Sequence, residues 1–297
     1  MLRSVRTERV AVVLCAALCL TVLAAPPVVA QTVPLYETFE LDMTKSGVSG
    51  NKFTKFAAVT FTKDARSFDV EGFHDGGDTW RARFMPDEEG TWTYSWSLEG
   101  ATGSGSFECT ARSNADNHGH AKRDPAHPRY MVYDDGTPHY WYGGKWINAH
   151  NYGPPSKGGE SNDNPSSEDT RYSDSVFVSY LDTMAARGHN GLLIQIALYP
   201  LENDRLSWDL TWIQRCEWLV EEMAARGIYC QLNIFNTWSR HKDYWFEYTT
   251  NAADHVFNVW ASGDETVKRN YIRTLVARFA GYYNVYWELG NEMEHSP

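Results

Sequence analysis

The chain has 297 residues, a net charge of −11 and 42% hydrophobic residues, so it is long enough for two domains. The acidic balance argues against a nucleic-acid partner and against an anionic membrane surface. Twelve Trp, 17 Tyr and 13 Phe suit a protein that stacks aromatic rings on sugars, although large cores also use aromatic residues.

Residues 1–30 predict a signal peptide, which we exclude from the fold. A positive start, an apolar stretch and a small-residue cleavage site follow one another, as export requires. These parts are Arg3, Arg6 and Arg9, then Val10–Ala25, then Val28–Ala30. The apolar stretch is too short to favour a membrane span. We therefore predict a secreted chain, extracellular or periplasmic, that is cleaved near Ala30.

Three cysteines remain after that cleavage: Cys109, Cys216 and Cys230. A bridge between Cys216 and Cys230 is conceivable, since one is predicted on a helix and the other on the next strand. Buried free thiols are the favoured interpretation. No Cys or His spacing fits a metal site, so we predict neither metal nor cofactor.

Residues 31–112 predict an all-β immunoglobulin-like sandwich. In Thr91–Leu98, aromatic and aliphatic residues alternate with Thr and Ser, which is typical of a strand with one buried face. Trp80, Ala82 and Phe84 alternate with Arg81 and Arg83 in the same way. Further strands are predicted at Lys55–Thr62 and Ser67–Gly72, and about six short strands without a helical pattern favour a sandwich.

The segment Glu71–Trp92 resembles a domain of unknown function that commonly precedes glycoside hydrolase barrels in secreted bacterial proteins. Its motifs are Glu71-Gly72-Phe73, the Asp-Gly-Gly turn and Thr79–Trp92. The resemblance implies no catalytic residue here. The domain could bind sugar or pack against a barrel, and inward positions for Trp80, Trp92 and Trp96 favour packing.

Residues 113–297 predict repeated helix–strand units. After a polar connection, a hairpin around Asp134–Gly136 leads to a first strand with Trp146 at its top. The polar loop Pro154–Arg171 is either a functional lid or a disordered insertion. Three helices then alternate with strands, and Met-Ala-Ala-Arg-Gly occurs twice, at Met184 and Met223. The predicted strands are Gly191–Ala197, Ile228–Phe235 and Val285–Leu289.

Polar residues inside these strands distinguish a barrel from a doubly wound sheet. Gln195, Gln231 and Asn233 lie opposite the apolar face of their strands, and Glu288 continues the series. A doubly wound sheet packs helices on both faces, where such a polar row would be costly. We therefore predict the first half of a (β/α)8 TIM barrel.

The last predicted strand runs into Asn291-Glu292, with Glu292 on the same side of the strand as Glu288. An Asn-Glu pair after an apolar fourth strand resembles the clan A glycoside hydrolases. The resemblance implies that Glu292 is the general acid/base and that Asn291 contacts the sugar 2-hydroxyl. A surface pair that caps a helix is the alternative interpretation.

Four further residues fall at or just beyond the ends of predicted strands, where barrel enzymes bind substrate. These candidate substrate-binding residues are Trp146, Tyr199, Asn236 and Trp238. Ordinary packing between loops would explain them equally well. The nucleophile of the resembled family ends the seventh strand, and no residue of this chain takes that role.

Residues 113–297 are fewer than the ~250 of a complete barrel, so we expect an incomplete and poorly active chain. The predicted function is a secreted retaining glycosidase that acts on O-glycosyl bonds of a carbohydrate substrate. The alternative is a non-catalytic carbohydrate-binding or adhesion protein whose half-barrel is vestigial or completed by another copy. No Gly-x-Ser-x-Gly or His-Glu-x-x-His motif supports an esterase or a protease.

Overall fold

Seven strands build the N-terminal part of the protein, residues 31–110, which we call the β-unit. The computed structural model describes residues 31–148, 174–195, 204, 206–236 and 265–291. The seven strands hydrogen-bond in the order β1-β7-β6-β3-β4-β5-β2, and all neighbours are antiparallel except β1 and β7. Their bounds are β1 Gln31–Pro34, β2 Phe39–Thr44, β3 Ala57–Lys63, β4 Arg66–His74, β5 Thr79–Phe84, β6 Gly90–Leu98 and β7 Ala101–Thr110.

The alternating strand predicted from Thr91 to Leu98 is confirmed as β6. Trp92 and Leu98 are buried in the core of the β-unit, as predicted. Trp96, in contrast, is only half-buried. Its ring packs across Gly103 on the paired strand β7. A Cβ atom at Gly103 would lie 2.5 Å from the Trp96 indole nitrogen, so only glycine fits beneath this ring.

Strand β4 passes from one neighbour to another within its length. Residues 66–72 pair with β3, whereas Phe73 and His74 pair with β5. Gly72 lies at the change, and a Cβ atom there would approach Met43 Cε to 2.6 Å. The glycine therefore allows the strand to bend closely over the core.

A three-stranded sheet connects the β-unit to the rest of the chain. Strands β9 (Met131–Tyr133) and β10 (Pro138–His139) form the predicted hairpin. Strand β8 (Ala121–Arg123) pairs with β9 and lies within a stretch that the sequence predicted only as a polar connection. Its three residues give no alternating pattern, which explains why it was missed.

Four parallel strands follow in the order β11-β12-β13-β14. The strands are β11 Gly143–Asn148, β12 Gly191–Gln195, β13 Tyr229–Asn236 and β14 Val285–Asn291, and the helices are α1 Asp174–Ala186, α2 Leu210–Ala224 and α3 Glu265–Phe279. Asp209 caps α2 by accepting a hydrogen bond from the Trp212 amide. The described helices are too short and too polar to cross a lipid bilayer.

The described helices pack against one face of this parallel sheet. Leu192, Ile194, Cys230 and Leu232 are fully buried there, in one core with residues of α1, α2 and α3. The opposite face carries Gln231, Asn233 and Glu288 at alternate positions. This division agrees with a TIM-barrel-like region, because a barrel packs helices outside and can hold a polar layer inside.

The β-unit packs directly on this helical layer, and residues 31–297 form one compact unit. Arg83 of β5, Glu217 of α2 and Arg278 of α3 meet in the contact, each buried. Oε1 of Glu217 lies 2.7 Å from Nη1 of Arg83 and 2.7 Å from Nη1 of Arg278. Arg278 also donates to Oδ1 of Asp75, at 3.0 Å, in the turn after β4. A buried charged cluster thus ties the two parts together.

The three cysteines that follow residue 30 are buried free thiols, as the sequence favoured. Burial raises the pKa of Cys109 to about 12 and also raises the pKa values of Cys216 and Cys230. No thiolate is therefore available at neutral pH.

We expect Ellman's reagent to label no thiol of the native chain starting at Gln31 and three thiols in guanidinium. Rapid labelling of the native chain would contradict this packing.

Candidate active site

One row of polar residues crosses all four parallel strands. Backbone pairing places Asn148 beside Gln195, Gln195 beside Asn233, and Asn233 beside Glu288. These four residues therefore share one level of the sheet. Of the predicted polar residues, Gln195, Asn233 and Glu288 lie at one level, whereas Gln231 lies two residues before Asn233.

Two members of this row have buried polar atoms that lack a partner within the described part of the chain. They are Nδ2 and Oδ1 of Asn233 and Oε2 of Glu288. Asn233 is fully buried and lies on the strand next to Glu288. A buried polar atom without a hydrogen bond costs about 1–3 kcal/mol, so these atoms make this level of the sheet a candidate place for a polar ligand group.

The amino ends of these strands are closed by aromatic residues. Tyr133, Tyr229 and Tyr283 are buried together beneath the sheet. The Tyr229 hydroxyl donates to the Gly119 carbonyl at 2.7 Å. The hydroxyl oxygen of Tyr133 lies 2.7 Å from Nδ1 of His139. Burial raises the pKa of Tyr229 and lowers that of His139, so both side chains stay neutral at pH 7. Among the described residues, the amino ends of these strands are thus covered by a packed, uncharged cluster.

At the carboxyl ends, Asn236 and Asn291 are the last residues of β13 and β14 and pair with each other. The structure thus brings two of the predicted site residues together. In a regular strand, both positions fall on the same face as Leu232 and Trp287, which pack against the helices. A role at the site, on the opposite face, therefore requires the chain to leave the regular strand here. Glu292, the next residue, has the parity of Glu288 and Gly290.

The other predicted site residues are only partly described. Trp146 lies within β11, where its backbone pairs with Leu193, and the strand continues to Asn148. Tyr199, Trp238 and Glu292 lie outside the described residues, as does the loop 154–171. Among the described residues, no group of three or more His, Cys, Asp or Glu side chains could hold a metal ion.

Asn233 was predicted to face the barrel interior, but its unmet hydrogen-bonding capacity was not foreseen. Only the lateral pairing with Glu288 reveals that the two residues act at one level. An alternating pattern shows which face a residue occupies and gives no information about its neighbour on the next strand.

Two family models match the chain. Residues 32–99 match a domain of unknown function (DUF5060), and residues 170–297 match the family described as cellulase (glycosyl hydrolase family 5). The first match falls on the β-unit and the second covers α1 to the end of β14. No functionally curated protein matches the chain.

A candidate glycoside hydrolase from Bacteroides vulgatus ATCC 8482 is similar to the chain, with 22% identity and a TM-score of 0.68. The match covers 90% of this chain and 50% of that one, so this chain spans about half the length of that protein. At this identity the likeness shows the fold alone.

Two further solved structures are much less alike. The endo-1,4-β-D-mannanase of Thermotoga petrophila RKU-1 has 16% identity and a TM-score of 0.31, over 52% of this chain and 45% of that one. A Bacteroides ovatus GH5 xyloglucanase has 12% identity and a TM-score of 0.25, over 88% and 64%. The chain is thus similar to a glycosidase: its strand-rich N-terminal region matches DUF5060, and the TIM-barrel-like region after it matches the model of glycosyl hydrolase family 5.

Proposed function

We propose that this chain is part of a secreted, retaining glycoside hydrolase that cleaves O-glycosyl bonds of a poly- or oligosaccharide. In this proposal β11 to β14 are the first four strands of an eight-stranded barrel, and residues 31–112 form an immunoglobulin-like domain in front of it. The observation that carries the proposal is the polar row at Asn233 and Glu288. This row lies three residues before the paired strand ends Asn236 and Asn291. Glu292 directly follows Asn291.

The mechanism assigns Glu292 two proton transfers. A retaining glycosidase uses two carboxyl groups about 5 Å apart, one as acid/base and one as nucleophile. Glu292 protonates the departing glycosidic oxygen and later removes a proton from the water that attacks the glycosyl-enzyme intermediate. Asn291 holds the 2-hydroxyl of the sugar, where a hydrogen bond that strengthens in the transition state accelerates the reaction.

The remaining parts of the site are assigned by position. Trp146, Tyr199, Asn236 and Trp238 line the sugar-binding cleft, with Tyr199 and Trp238 stacking on sugar faces. The nucleophile is assigned to a strand of the complete barrel outside this chain. The chain alone should therefore bind sugar but hydrolyse it poorly.

A hydrolysis assay with product analysis tests this proposal. A longer reading frame that supplies four more strands should release reducing sugar from at least one β-glucan or β-mannan. Proton NMR of the first product should show the anomeric configuration of the substrate, because two displacements restore it. The chain ending at Pro297 is the matched control, with little turnover expected. An inverted product, or binding by the longer protein without any hydrolysis, would contradict the proposal.

A further inference from the structure

The β-unit reaches one segment that follows a barrel-type strand. This segment, residues 204 and 206–208, lies between β12 and α2. Nδ2 of Asn51 lies 3.1 Å from Oδ2 of Asp204 and 2.9 Å from Oγ of Ser207. The contact joins residues more than 150 positions apart in the sequence. It lies on the carboxyl-end side of the sheet, where the candidate site opens.

Local structure fixes the orientation of the Asn51 side chain. Asn51 caps a short 3-10 helix, Lys52–Thr54, and its Oδ1 accepts a hydrogen bond from the Phe53 amide at 2.9 Å. Its Nδ2 must therefore point outward, to Asp204 and Ser207. A flipped amide would lose both sets of bonds, so this asparagine acts as a directed donor.

Asp204 accepts the hydrogen bond from Asn51 and also accepts hydrogen bonds from the residues that follow it. Its Oδ1 accepts from the amides of Leu206 and Ser207 at 2.9 and 2.7 Å, and its Oδ2 accepts from the Ser207 hydroxyl at 2.6 Å. Partial burial works against its charge, but these hydrogen bonds outweigh burial and lower the pKa of Asp204. The carboxylate is therefore ionised at neutral pH and prefers a hydrogen-bond donor such as Asn51.

Beyond Ser207, the segment connects to the end of β13. The ring of Trp208, which is buried, stacks on Tyr271 of α3 at a centroid distance of 5.5 Å and an angle of 4°. The Tyr271 hydroxyl donates to the Ile234 carbonyl at 2.9 Å. Ile234 lies two residues before Asn236, which pairs with Asn291. Asn270 adds a bond of 3.2 Å to the Leu206 carbonyl.

We propose that the β-unit positions the active site, and that Asn51 is a positioning residue which acts through Trp208 and Tyr271 on the carboxyl end of β13. This inference rests on the proposed function, and it gives the N-terminal domain a role in the reaction that its family description leaves open. The Asn51 contact is separate from the buried cluster at Glu217, and it joins the β-unit to the segment that precedes α2.

The substitution Asn51→Asp tests the proposal cleanly. Aspartate keeps the acceptor for the Phe53 amide, so the 3-10 helix stays capped. It removes the donor and places a second carboxylate opposite Asp204. We expect kcat/KM of the complete enzyme to fall about tenfold, since a small misplacement of a site residue slows the reaction. The double substitution Asn51→Asp with Asp204→Asn should restore most of it, because the donor and acceptor are exchanged.

Hydrogen exchange of the chain provides a readout that does not depend on turnover. Asn51→Asp should raise amide exchange in residues 206–210 and in residues 229–236, while the double substitution should reverse the increase. Asn114→Ala is the matched control, because Asn114 also caps a local turn but lies in the connection between the two parts. It should change neither exchange nor kcat/KM.

Two results would overturn the proposal. One is unchanged exchange in residues 229–236 of the Asn51→Asp variant. The other is a lower melting temperature with kcat and KM both unchanged, which would indicate a structural role only. If the wild-type enzyme hydrolyses no glycan, the proposed function fails, whereas the exchange data still decide whether Asn51 holds the end of β13.

Discussion

Replacing Glu217 by leucine is expected to lower the free energy of unfolding by about 3–5 kcal/mol, because it leaves two buried cations without their shared anion. Glu217 lies between Arg83 and Arg278, and the side chains of all three are at most 5% exposed. Arg83 keeps the partly exposed Glu40 and Arg278 keeps Asp75, but neither replaces the central charge. Thermal unfolding should shift downward by about 10 °C for a chain of this size.

Another glutamate of the same helix provides the control. Glu222 pairs with Arg226, four residues further along, at 2.7 Å, and both side chains are only half-buried. Glu222→Gln should change the free energy of unfolding by no more than about 1 kcal/mol, as surface ion pairs contribute little. Equal effects of the two substitutions would show that the cluster at Glu217 does not hold the β-unit to the helices.

The pH dependence of unfolding gives an independent check on this cluster. Burial opposes the charge of Glu217, but Arg278 and Arg83 outweigh it and lower the pKa of the carboxyl. A lowered folded-state pKa stabilises the protein above the unfolded value, which is about 4.3 for glutamate, and that stabilisation is lost as the pH falls toward the folded value. The difference between wild type and Glu217→Leu should therefore narrow below about pH 4.

Arg83 shows what alternation can and cannot predict. The sequence placed Arg83 on the face of β5 opposite Trp80 and Ala82, and the structure confirms that face. The pattern predicted one buried face, whereas α2 and α3 also bury Arg83 on the opposite face. One sequence feature did indicate this contact: Glu217 is a charged residue among the apolar positions of α2. A carboxylate buried there requires a cation. A pairing across 134 positions cannot be read from either segment alone.

The strands of the barrel-type region were predicted to within about two residues, because their apolar faces repeat with period two. The register between strands was not readable. The residue of β13 that lies beside Glu288 is Asn233, and only the folded chain shows this.

The candidate site itself combines both cases. Asn291 and Asn236 were chosen as residues at strand ends, and the structure places them as paired terminal residues of neighbouring strands. The support that reaches this place from Asn51 could not be predicted, because it depends on the docking of the β-unit against α2 and α3. The roles assigned to Tyr199, Trp238 and Glu292 remain predictions from sequence and resemblance.

We expect Glu292→Gln to abolish useful turnover of natural glycans by the complete enzyme, with kcat/KM lower by roughly 10²–10⁴-fold. Glutamine has the same shape but cannot give a proton to the departing oxygen or take one from the attacking water. Steady-state hydrolysis of a soluble polysaccharide measures the effect. Glu294→Gln is the matched control, because Glu294 lies two residues further along and has no assigned role.

The leaving group decides whether the lost step is proton transfer. An aryl glycoside with an acidic phenol departs without protonation, so its bond cleavage should be slowed far less by Glu292→Gln than that of a natural glycan. The wild-type rate should also fall at high pH as the acid loses its proton, and this limb should vanish in the variant. Full activity of Glu292→Gln on natural glycans would remove Glu292 from the mechanism. An equal loss on both kinds of substrate would instead assign it to binding or to folding, since neither depends on the leaving group.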